Sequence, residues 1–180
     1  MNERRKKTYQ DNIEFLKSMI GCSLNSAIQE KYYFKGELYT ESMGTLKLNF
    51  SNGQAFTFDC DGDAESLNIQ KGGFSDKGTL ETDFENNRYK WEEKEFLNSE
   101  ILRNLGQTTI IFLELLTNDF GTIHSGCKIK FKSGDHLHIW TVSSDNIFYG
   151  LNETPPYHDN EKLRIELKEI KTLYNKTYEQ

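Results

Sequence analysis

No stretch of this 180-residue sequence holds the roughly 18 consecutive apolar residues needed to span a bilayer. Its opening residues, MNERRKKTYQ, are basic and lack the apolar run of a secretory signal. A cytoplasmic protein with no membrane partner is expected. Cysteine is scarce: Cys22, Cys60 and Cys127 stand far apart with no C-x-x-C pair, which excludes a disulfide framework and a zinc knuckle. No G-x-S-x-G elbow is present, and Lys71-Gly-Gly-Phe-Ser-Asp-Lys-Gly78 lacks the spacing of a phosphate-binding loop. No cofactor is expected, and no catalytic residue is assigned.

Positive charge is also in deficit. The net charge is −6, and residues 59–100 alone carry 12 acids against 5 bases, a local −7. Such a field repels nucleic acid and attracts basic partners. What the chain does have is aromatic residues, 13% of the total with 12 Phe and 9 Tyr, more than a disordered chain carries. Its length suits a single domain over residues 1–180.

Two segments superpose without a gap. Leu46-Lys-Leu-Asn-Phe-Ser-Asn-Gly-Gln-Ala-Phe-Thr-Phe58 matches Cys127-Lys-Ile-Lys-Phe-Lys-Ser-Gly-Asp-His-Leu-His-Ile139. Both alternate apolar and polar residues around a central Gly, the pattern of a β-hairpin with one buried face. Placing Phe50 opposite Phe56 leaves a three-residue loop, Asn52-Gly53-Gln54, built as a type I turn with a left-handed Gly.

Upstream, Glu14–Gly21 and Glu100–Gly106 each read as a short helix ended by Gly, capped by Asp11 with Glu14 and by Ser99. Strands are expected at Ser23–Gln29 and Thr108–Leu116, and again at Ser66–Gln70 and Asn146–Tyr149. The expected fold is therefore α+β and β-rich, made of duplicated helix–strand–hairpin units. Its mainly antiparallel sheets would form a sandwich or partly closed barrel with short helices. Pseudo-repeats 13–70 and 99–150 would be joined by an acidic segment, 71–98, and followed by a strand or helix within 160–175.

Three features carry potential chemistry. The stretch FTFDCDGDAESLNI places Asp59, Asp61, Asp63 and Glu65 at alternate positions. An EF-hand is excluded, because Gly62 falls at loop position 4 and position 12 is Gln70 in place of the bidentate Glu. The second copy keeps only Asp145 there, so the fold does not require these acids. The pair His136 and His138, at i and i+2, sits on one strand face and makes a weak metal candidate beside Lys128, Lys130 and Lys132. A third ligand would have to come from His124, His158 or Asp135. In the joining segment, Tyr89, Trp91, Glu92, Glu93 and Glu95, extended by Phe84, set aromatics among carboxylates, as a surface gripping a basic protein would. Tyr32, Tyr33, Phe34 and Tyr39 form a second aromatic cluster, able to plug a sheet end or line a concave face.

In the hairpins LKLNFSNGQAFTFD and CKIKFKSGDHLHIW, and in the helix ends MIG and NLG, the chain resembles immunity proteins of bacterial polymorphic-toxin and type VI secretion systems. The likeness spans residues 13–150. It implies a non-enzymatic cytoplasmic protein that binds and neutralises a cognate, basic toxin. On that reading Asp59, Asp61, Asp63 and Glu65, with Tyr89, Trp91, Glu92, Glu93 and Glu95, form the contact surface. The competing classes are a metal-dependent hydrolase using His136 and His138 or the Asp59–Glu65 acids, and a β module binding a small ligand.

Overall fold

A computed structural model describes residues 3–40, 43–61, 66–74, 81–82, 88–117, 124–142, 146–153 and 166–169. A helix, α1 (Glu3–Met19), leads into β1 (Leu24–Phe34), β2 (Glu37–Leu38), β3 (Leu46–Phe50), β4 (Ala55–Cys60), β5 (Leu67–Lys71), β6 (Glu81–Thr82) and β7 (Arg88–Glu95). A second helix, α2 (Ser99–Gly106), precedes β8 (Ile110–Thr117), β9 (His124–Phe131), β10 (His136–Val142), β11 (Asn146–Leu151) and β12 (Glu166–Glu169). The fold is α+β and strand-rich. One sheet runs β5-β4-β3-β1-β7-β6 with β2 on β1, the other β11-β10-β9-β8-β12, and neither closes into a barrel among the described residues.

The duplication extends further than the hairpins. In both units the first strand pairs the hairpin, the hairpin pairs a further strand, and a fifth strand lies on the other side of the first: β7 on β1, β12 on β8. The segment expected as a joining piece therefore supplies the fifth strand of the first unit. Even the irregularities repeat, since β1 is bulged between Leu24 and Ser26, and β8 between Ile110 and Phe112.

The hairpin register differs from expectation by one step. Leu48, not Phe50, opposes Phe56, while Phe50 N donates to Gln54 O at 2.9 Å. The loop is Ser51-Asn52-Gly53, three residues long but shifted by one position. A type I turn followed by a bulge needs its left-handed residue third in the loop, and Gly53 has φ +79°. The second hairpin repeats this arrangement at Lys132-Ser133-Gly134, with Gly134 at φ +100° and Phe131 N donating to Asp135 O. Phe50 and Phe56 still share the buried face, as diagonal neighbours with ring centroids 6.0 Å apart.

One core takes residues from both units: Leu46, Leu48, Phe56 and Phe58 from the first sheet, Ile129, Phe131, Leu137 and Ile139 from the second, with Leu16 and Met19 from α1 and Leu105 from α2. The units also interlock through backbone. Gly21 N donates to Ile110 O at 2.8 Å, and Ile110 N donates back to Cys22 O at 2.9 Å.

Both helix starts differ from the expected caps. Asp11 lies in mid-helix, because α1 begins at Glu3 and turns Tyr9, Asn12, Leu16 and Met19 toward the core. For α2 the cap is Asn98, whose side-chain oxygen accepts from Glu100 N at 3.1 Å and Ile101 N at 2.9 Å.

Asn12 is fully buried and acts as a short substitute strand. Its Nδ2 donates to Leu67 O at 2.7 Å and its Oδ1 accepts from Ile69 N at 2.9 Å, closing the free edge of β5. At the matching positions of β11, Met43 N donates to Ile147 O at 3.1 Å and Met43 Sδ accepts from Tyr149 N at 3.4 Å. Two different devices thus seal two equivalent edges. Asn12→Ala would strand two buried backbone groups, and is expected to cost about 2–4 kcal/mol in urea unfolding. A loss below about 1 kcal/mol would mean that the edge is not held this way.

Candidate functional site

β1 is 11 residues long but pairs β3 only as far as Gln29. Beyond that point it is flanked by β2 and β7, and no residue from Lys31 to Thr40 is buried. The turn into β2, Lys35-Gly36, has φ values of +52° and +86°, the type I′ geometry whose twist matches a tight hairpin. The result is a ribbon, β2-β1-β7, continuing past the core.

Pairing assigns its faces, because residues opposite one another on neighbouring strands share a face. Tyr32 pairs Trp91, Phe34 pairs Tyr89, Glu30 pairs Glu93 and Ile28 pairs Glu95. On the β2 side, Phe34 pairs Glu37, and Tyr39 N donates to Tyr32 O at 2.9 Å. One face, here called outer, thus carries five aromatics: Tyr32, Phe34, Tyr39, Tyr89 and Trp91. Tyr32 is central, with ring centroids 4.7 Å from Trp91, 6.0 Å from Tyr39 and 6.2 Å from Tyr89. Phe34 and Tyr39 are among the most exposed large apolar side chains, at 36% and 40%. Glu37, Glu93 and Glu95, all exposed, rim this cluster, while Glu30 is buried.

The opposite, inner face carries Lys31, Tyr33, Lys90, Glu92 and Lys94. Strand alternation therefore separates Glu92 from the acids it adjoins in sequence. It is held by Lys90 and, at 2.7 Å, by Lys94, and these hydrogen bonds hold its carboxyl down at about 2. Of the residues singled out in the sequence, Tyr89, Trp91, Glu93 and Glu95 come together, and Glu92 does not. Asp59 lies on the same sheet face as Glu93, in the row that runs through Thr45 and Glu30. Three strand spacings put it about 14 Å away. Asp61 N donates to Ser66 O at 2.7 Å at the end of β4. Asp63, Glu65 and Phe84 lie outside the described residues.

The sequence groups Tyr32, Phe34 and Tyr39 as one aromatic cluster without fixing the surface it lies on, and does not mark Glu37. The signal was there in the i, i+2 spacing of Tyr32 and Phe34, but without its partner strand such spacing does not say whether the face is buried.

His136 and His138 share the outer face of the second sheet, ring centroids 5.0 Å apart. Lys130 lies opposite His136 and Lys128 opposite His138. His138 is 4% exposed and its Nδ1 donates to Glu153 O. Asp135 is engaged by Ser133 and Asn152, and His124 stacks on Tyr9 at 3.9 Å, so neither joins the pair. His158 lies outside the described residues. Among the described residues, no three His, Cys, Asp or Glu side chains are placed to hold one metal ion. A buried carboxylate does share this face: Glu114, 7% exposed, pairs with Lys130 at 3.4 Å. Cys127 is wholly buried, and burial pushes its thiol up, away from the reactive thiolate.

Burial and then Lys128 and Lys130 hold His136 below its ordinary pKa of 6.5; burial and then Lys128 hold down His138. The hydrogen bond to the Glu153 backbone opposes this shift at both histidines, followed by Asp135 at His136 and Glu114 at His138. With the folded pKa depressed, the unfolded chain binds protons first, so stability is full above pH 6.5 and is lost as pH falls below it. Thermal melts from pH 7.5 to pH 5 are expected to decline, and a His136→Gln, His138→Gln double variant to flatten that decline. An unchanged slope in the variant would place the pH dependence elsewhere.

No helix among the described residues is long and apolar enough to cross a membrane. Comparison with protein-family models, with curated proteins and with solved structures returns no match.

Proposed function

We propose that this chain is a non-enzymatic binding protein that captures a basic protein through the outer face of the β2-β1-β7 ribbon. The observation that carries this reading is the five aromatics on that face, rimmed by exposed Glu37, Glu93 and Glu95. Large rings supply buried area at little entropic cost, and rim charges supply steering and choice of partner. Asp59 extends the acidic field across the sheet. In line with the resemblance to immunity proteins, the proposed partner is a secreted bacterial toxin, neutralised in the cytoplasm by coverage of its basic cleft. A hydrolase built on His136 and His138 is less favoured, since Lys128 and Lys130 beside them oppose cation binding.

The test is co-expression with a toxin-like C-terminal domain encoded in the adjoining open reading frame. A stable complex that forms more slowly as salt rises is expected. A toxin domain left fully active by stoichiometric protein would overturn the proposal.

A further inference from the structure

We infer that the centre of the ribbon's outer face is an arginine subsite, in which a guanidinium from the partner lies on the Tyr32 and Trp91 rings and bonds to the Glu93 carboxylate. This subsite presupposes the binding face proposed above. Three observations carry it. First, Tyr32 and Trp91 meet at 4.7 Å with planes 39° apart, and Tyr39 and Tyr89 flank Tyr32. The rings meet at a tilt and fix one another's orientation, and stacking on an aromatic face favours a flat cation over a spherical one. Second, Glu93 is two residues from Trp91 on the same strand, hence on the same face and about 6.7 Å along it. A single guanidinium has the reach to stack on the ring and direct its N–H groups at that carboxylate.

Third, the ribbon already places its own cations over rings. Lys35 Nζ lies 5.1 Å from the Phe34 centroid, and Lys90 Nζ lies 5.0 Å from that of Tyr33 on the inner face. Arginine rather than lysine follows from its chemistry: guanidinium is planar, delocalised, weakly hydrated and able to fork onto a carboxylate, whereas ammonium is a compact, strongly hydrated point charge.

The experiment titrates the full chain at low salt with two capped peptides, acetyl-Gly-Arg-Gly-Arg-Gly-amide and its lysine counterpart, followed by backbone amide NMR shifts. The arginine peptide is expected to bind at least about fivefold more tightly, with shifts centred on Tyr32, Trp91 and Glu93. Glu93→Gln is expected to remove most of the preference, and Trp91→Leu to remove binding. Should Trp91→Leu disturb folding, Glu93→Gln alone decides, since Glu93 is an exposed rim residue. Equal affinity for both peptides, no binding of either, or an arginine preference untouched by Glu93→Gln would overturn the subsite. Each of those results leaves capture of the toxin-like domain as a separate question, answered by the co-expression test.

Discussion

A Tyr32→Ala, Trp91→Ala double variant is expected to weaken partner binding by at least about a hundredfold while keeping the fold. Truncating an aromatic at the centre of an interface costs about 2–4 kcal/mol, and 1.4 kcal/mol is already tenfold in affinity. Tyr32 touches three other rings, so its loss also loosens the platform for Tyr39 and Tyr89. The cost to the free protein is much smaller. Both residues sit beyond Gln29, where β3 no longer pairs β1, and neither belongs to the buried core. Losing aromatic contacts there removes about 1–2 kcal/mol. Isothermal titration beside urea unfolding separates the two effects: a large drop in affinity with a small change in midpoint is predicted. A drop in both together would make the ribbon a structural element instead of a contact surface.

The largest stability effect is expected at Gly44. Its φ is +77°, and a Cβ built there lies 1.9 Å from the Glu30 carbonyl oxygen, a backbone atom. Relief requires the chain to move, and the chain here is tied on both sides. Glu30 N donates to Thr45 O at 2.9 Å, and Met43 N donates to Ile147 O at 3.1 Å on the edge of the second sheet. Tyr149 reinforces the tie, its hydroxyl donating to Met43 O at 2.9 Å. Gly44→Ala therefore sets a left-handed conformation, a backbone clash and a sealed sheet edge against one methyl group, and should cost about 3–5 kcal/mol in urea unfolding. Gly53 is the control. It has φ +79° but open space around its Cα, so Gly53→Ala should cost only the conformational strain, about 1 kcal/mol. Equal losses at the two glycines would contradict this account of the Met43–Thr45 strap.

Much of the architecture was legible because half-buried strands write their burial into the chain. The alternation at Leu46–Phe50 and Ala55–Cys60, repeated at Cys127–Phe131 and His136–Val142, revealed both hairpins and the duplication. What alternation leaves open is pairing. Phe50 and Phe56 share a face in either register, and only the demand for a left-handed third loop residue selects the one adopted.

β7 was illegible for a different reason. Arg88-Tyr-Lys-Trp-Glu-Glu-Lys-Glu95 has no buried face, so neither face is marked by aliphatic residues. The long α1 was hidden by Asn12, a polar residue within the buried stripe, placed there by the backbone groups of β5. For the proposed binding face, the aromatic and acidic composition showed from the start. Its membership did not, since dividing Glu92 from Glu93 and bringing Tyr32 beside Trp91 both require knowing that β7 pairs β1.

On the proposed function, the outer face of the ribbon meets the partner. Amide hydrogen exchange, measured on the free protein and on its complex with the toxin-like domain, tests this most directly. Slowed exchange is expected to concentrate in residues 30–39 and 88–95, with 124–142 little changed. Protection confined to 124–142, with the ribbon exchanging as fast as in the free protein, would contradict it.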